Sequence, residues 1–103
     1  MHVVHMFVGH AAAPEDNEWG YPCGERHGIL LFCRRPTGSE YDSELAYAEV
    51  EDFGWTDVVL KKVGVADPKR ALTRGENFDN AYHTALQTGR AIIIYEDGET
   101  EGL

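Results

Sequence analysis

The sequence predicts an α+β domain: a two-layer sandwich of a four-stranded mixed sheet and two main helices, ordered β-β-α-β-α-β. Three observations carry this reading. Ile29-Leu30-Leu31-Phe32-Cys33 and Ala91-Ile92-Ile93-Ile94-Tyr95 are short runs with no polar side, the pattern of strands covered on both faces. Phe78, Ala81, Tyr82, Ala85 and Leu86 recur at helical spacing. From Gly28 onward, strand-like and helix-like segments alternate with little chain between them.

The first strand is read in Val3–Val8, where alternation puts Val4, Met6 and Val8 on one face and Val3, His5 and Phe7 on the other. Residues 10–27 then read as a long aromatic and acidic loop, with Trp19 and Tyr21 too apolar to stay fully solvated. After the run at Ile29, a helix is written from Ser39 to Phe53, with Ser39 as N-cap and Gly54 as its stop. Ala46, Val50 and Phe53 share its apolar face.

Trp55–Val65 reads as a longer strand, and Lys61 and Lys62 mark it as exposed or at an edge. Asp67-Pro68 is a helix-start pair, and Asn77 is the expected cap of the helix ending at Gly89. That helix is expected to lay Phe78, Tyr82 and Leu86 on Ile29, Leu31, Ile92 and Ile94. Both strand–helix–strand units are expected to be right-handed crossovers. The tail 97–103 is acidic and expected to fray. With 103 residues, the chain is expected to form a single domain over 1–103. Its outline resembles the ferredoxin-like and related small sandwiches, which host unrelated functions.

Charge is the unusual property. Eighteen carboxylates against nine Lys and Arg give a formal net charge of −9. Such a field repels phosphate, so neither direct nucleic-acid binding nor adsorption to an anionic membrane is expected. Basic partners are favoured instead. No targeting segment is read in Met1–His10. The two cysteines do not form a disulfide framework, so a cytoplasmic protein with reduced thiols is expected.

Motifs for chemistry are sparse. His2, His5 and His10 lie on or beside one strand and alternate in direction, so they do not converge as zinc ligands must. Cys23 and His27 have no second pair to complete a metal site, and neither metal nor cofactor is expected. As a thiol nucleophile, Cys23 has Arg26 and His27 nearby, but four neighbouring carboxylates disfavour its thiolate. Phosphate-binding glycine motifs are absent.

The acidic helix is the distinctive surface. Between Pro36 and Leu60 there are seven carboxylates and no Lys or Arg. Glu40, Glu44 and Glu51 fall in a narrow arc with Tyr47 beside them, a stripe whose repulsion a basic partner would offset. The sequence therefore favours a non-enzymatic interaction module of inhibitor, immunity-factor or nucleic-acid-mimic type, acting on a basic protein surface. A homodimer is expected, because two helices cover both sheet faces poorly. The competing reading is a small-molecule site or minor enzyme on the long loop, using Trp19, Tyr21, Cys23 and His27.

Overall fold

The computed structural model describes residues 1–15, 17–67 and 76–95. Within them the chain runs β1 (His2–Ala12), β2 (Arg26–Pro36), α1 (Ser43–Asp52), β3 (Thr56–Val65), α2 (Glu76–Thr88) and β4 (Arg90–Ile94). The acidic tail 97–103, Pro68 and the basic positions Lys69, Arg70 and Arg74 lie outside the described residues.

The strands form one sheet in the order β3-β1-β2-β4, with every neighbouring pair antiparallel. The expected mixed sheet is thus corrected to an antiparallel one, and the reason lies in the connections. β2 and β3 flank β1 and run parallel to each other, so α1 is a crossover between parallel strands that do not touch. β3 and β4 take the two opposite edges and run antiparallel. The connection through α2 is therefore not a parallel crossover.

The helices lie on opposite faces of the sheet. Phe78, Ala81, Tyr82 and Ala85 of α2 pack with Val4, Val8, Leu30, Phe32 and Ala91. Ala46 and Val50 of α1 pack with Phe7, Ala11, Ile29, Leu31, Cys33 and Trp55. The layers are helix, sheet, helix, which replaces the expected two-layer sandwich. It also moves α2 off Ile29 and Leu31 and onto the alternate side chains of β2. An all-apolar run such as Ile29–Cys33 serves either face equally, so its pattern does not say which helix goes where.

Ile29, Leu30, Leu31 and Phe32 have no solvent exposure, as a central strand requires. Phe32 meets Phe78 edge-to-face, with ring centroids 5.1 Å apart and planes at 83°. Such a pair adds about 0.5–1.5 kcal/mol beyond area burial. On the α1 side the cover is extended by Trp19 and Tyr21 of the connection before β2, while Val63 and Val65 of β3 stay exposed. β4, expected to be buried on both faces, is an edge strand whose isoleucines are half-buried.

Local boundaries shift for identifiable reasons. β1 and β2 stay paired from His2 and Pro36 to Ala12 and Arg26, so both strands run into what reads as loop. Helix α1 starts four residues later than Ser39 because Asp42 is the N-cap, its carboxylate accepting from the Leu45 amide at 3.0 Å. Asn77 sits inside α2 rather than capping it. β3 carries two irregularities against β1. At the first, Gly9 passes so close that a Cβ there would lie 2.0 Å from the Val59 carbonyl oxygen. At the second, Asp57 takes a left-handed φ of 48°, and its carbonyl accepts from the Arg26 guanidinium at 2.7 Å. The same guanidinium donates through Nε to His10 Nδ1 at 3.0 Å, so one side chain ties three strands together. Burial, then Arg26 and Lys61, lower the His10 pKa, which suits a ring nitrogen that accepts.

Candidate functional site

The carboxylates in and beside α1 divide into two groups. Asp42 caps the helix. Glu49 and Asp52 both bind Arg90 at the start of β4, Asp52 at 2.7 Å, and the Arg90 guanidinium carbon sits 4.5 Å from the centroid of the Phe53 ring. These bonds, Glu49 first and then Asp52, raise the Arg90 pKa further. Among the described residues, the carboxylates of Glu40, Glu44 and Glu51 make no ion pair or hydrogen bond, and all three residues are exposed.

The geometry of the stripe differs from the helical wheel. Because α1 begins at Ser43, Glu40 lies in the preceding turn and is not one helical turn from Glu44. Glu44 and Glu51 remain on one face, seven residues apart. Tyr47 lies between them but is half-buried, and its hydroxyl accepts from the Leu60 amide at 3.5 Å. Tyr47 thus ties α1 to β3, and the carboxylates supply the open charge.

On the same face of the sheet, the long connection brings three of its four predicted side chains together. Tyr21 stacks on His27 with ring centroids 3.9 Å apart, Trp19 meets Trp55 edge-on at 5.4 Å, and His27 meets Trp55 edge-on at 6.0 Å. Asn17 holds the loop shape: its Nδ2 donates to the carbonyls of Pro14 and Tyr21, and its Oδ1 accepts from the Tyr21 amide. Cys23 is apart from this cluster, exposed in a turn. It edges an open depression of about 530 Å³ with Glu15, Asn17, Gly20 and Tyr21.

His27 has 0% exposure and presents no surface to that depression. Its Nδ1 lies 2.7 Å from the Tyr95 carbonyl oxygen, which can only accept, so Nδ1 carries the proton. Its Nε2 faces the Glu25 carboxylate at 2.6 Å, close enough for an ion pair but without hydrogen-bond alignment. These contacts hold the loop onto the sheet. They do not form a nucleophile–base pair with Cys23.

The remaining histidines stay separate. His5 is buried against Tyr41, centroids 4.7 Å apart, and its pKa is lowered by burial and then by Arg35. Among the described residues, no group of three or more His, Cys, Asp or Glu side chains gathers to hold a metal ion. Among them also, no helix is long and apolar enough to cross a membrane.

Two contributors were missed from sequence. Arg90 is the lone base at the entry to an apolar strand, and such a charge requires a partner. Asn17 stands in a Gly/Pro-rich connection, where Asn side chains bond nearby backbone. Comparison with known proteins does not extend this picture: no protein-family model, curated protein or solved structure matches the chain.

Proposed function

We propose that this chain is a small acidic, non-enzymatic interaction module that captures a basic protein surface, as an inhibitor, immunity factor or nucleic-acid mimic does. One observation carries the reading. Glu40, Glu44 and Glu51 stay exposed and their carboxylates unpaired among the described residues, while Glu49 and Asp52 of the same region share the single guanidinium of Arg90. The outward side of α1 thus has no counter-charge among the described residues. With a net charge of −9 behind it, that face attracts cations over roughly a Debye length, about 8–10 Å at physiological salt.

The contact is built from the outward carboxylates, with Tyr47 fixing the helix against β3. Charge of this kind acts mainly on association rate and partner choice.

The test is capture from host extract on the immobilised protein across a salt series. A basic protein retained at low salt and released as ionic strength rises supports the reading. A captured set that is acidic, or indifferent to salt, overturns it.

A further inference from the structure

Among the described residues, the outer edge of β4 has no neighbouring strand and borders a groove. Tyr95 N donates to Gly28 O at 2.9 Å and Arg34 N donates to Gly89 O at 2.8 Å. With the register of β4 on β2, these bonds place Ala91 and Ile93 in the hydrogen-bonded pairs. The backbone N–H and C=O groups of Arg90, Ile92 and Ile94 therefore point away from the sheet. Arg90 O is met by the Thr88 hydroxyl at 3.1 Å. The N–H and C=O of Ile92 and Ile94 have no partner among the described residues.

This edge is walled on both sides. α2 presents Asn80 and Thr84 above it, and Trp19 and Phe53 stand on the other side, bounding an open groove of about 510 Å³. Along this edge the free groups are those of Ile92 and Ile94, about 7 Å apart along the strand. An edge left unpaired by the described residues, with a wall on each side, is the geometry into which a partner strand adds.

We propose that β4 takes an extended segment of a partner as a fifth strand, with apolar residues alternating with Lys or Arg. Backbone pairing with Ile92 and Ile94 supplies the register, and the half-buried Ile92 and Ile94 side chains supply apolar contact. The sign of the partner's charge rests on the function proposed above. Glu18 stands exposed on the groove rim, and Arg90 at its start is already neutralised by Glu49 and Asp52. A second copy is disfavoured as occupant, because pairing would bring two chains of net charge −9 together.

The test uses capped synthetic peptides of alternating Lys and Val on isotope-labelled protein, read by amide shifts of Ile92 and Ile94. N-methylation on the set of alternate residues that faces β4 should weaken binding about tenfold, while methylation on the other set leaves it unchanged. Glu18→Lys should weaken it severalfold, and replacing Lys by Glu in the peptide should abolish it. Binding indifferent to both methylation patterns would overturn the proposal, as would a peptide that binds equally with Glu. A dimer dispersed by the peptide would make the occupant a second copy and also overturn it. Peptide binding lost only when Glu40, Glu44 and Glu51 become Gln would place the peptide on α1, leaving the proposed function standing and this groove empty. Groove binding that persists while those same changes leave partner capture undiminished would sink the α1 reading instead.

Discussion

Arg90 lies over Phe53, its guanidinium carbon 4.5 Å from the ring centroid, and so joins β4 to the end of α1. Its forked donors reach Glu49 and Asp52 at the same time. A planar guanidinium meets two carboxylates and a ring face together, which an ammonium cannot do. Arg90→Lys should therefore recover only part of what Arg90→Ala loses. The side chain is about one-third exposed (35%), so the loss in Arg90→Ala is expected near 1 kcal/mol and smaller in high salt. Urea unfolding at two ionic strengths checks this, and a cost that grows with salt would contradict it.

Gly9→Ala tests the close passage of β3 over Gly9. The added methyl would meet the Val59 carbonyl and the Leu60 Cα, both main-chain atoms that no rotamer change can move. β1 and β3 must separate at the irregularity, at a cost of about 1–3 kcal/mol or more. Unchanged stability in chemical unfolding would show that β3 does not pass Gly9 as described.

The two faces of the sheet differ in what they owe to α2. Phe78→Ala removes the edge-on contact with Phe32 and should cost about 3–5 kcal/mol. Leu86 only borders that cluster, so Leu86→Ala should cost clearly less. Equal losses in the two thermal melts would place the helix differently.

These assignments show what was legible in the sequence. Ile29–Cys33 could be recognised as a central strand because a run without a polar side has no other economical place. Phe78 to Leu86 could be recognised as a helix because its apolar spacing has one period. Direction and side were not legible. Whether α2 returns the chain parallel or antiparallel depends on which edge β4 joins, and Ala91–Tyr95 looks the same at the centre as at an edge walled by α2 and Trp19. Asp42 was passed over as N-cap because Ser39 also fits, and the choice depends on the turn at residues 37–41. For the site, the outward charge of Glu44 and Glu51 was legible from their spacing. The pairing of Glu49 and Asp52 with Arg90 was not, since Arg90 lies about forty residues away in sequence.

The thiols give a pH test. Burial first, and then the Glu49 carboxylate, push the Cys33 thiol up to about 11 against opposition from Arg35 and Arg90. The folded chain keeps a proton that the unfolded chain releases from pH about 9. Stability from this group is complete below that value and is lost as pH rises towards about 11. Cys33→Ala should flatten the alkaline part of the stability profile. At neutral pH the exposed Cys23 should react with a thiol reagent promptly and Cys33 only on unfolding. Two thiols titrating at one rate in the native protein would contradict the burial of β2.

The outward carboxylates can be tested in one protein, with Glu40, Glu44 and Glu51 all changed to Gln. Glu40 lies outside α1, so no repulsion between adjacent helical turns is relieved, and Glu44 loses a favourable place in the first turn. Stability should stay within about 0.5 kcal/mol of the parent. The decisive measurement is the rate at which this variant captures the basic partner at low salt, relative to the parent chain. A marked fall in rate, shrinking as salt is added, is the expected result. An undiminished rate with the fold intact would contradict the assignment of partner binding to this face.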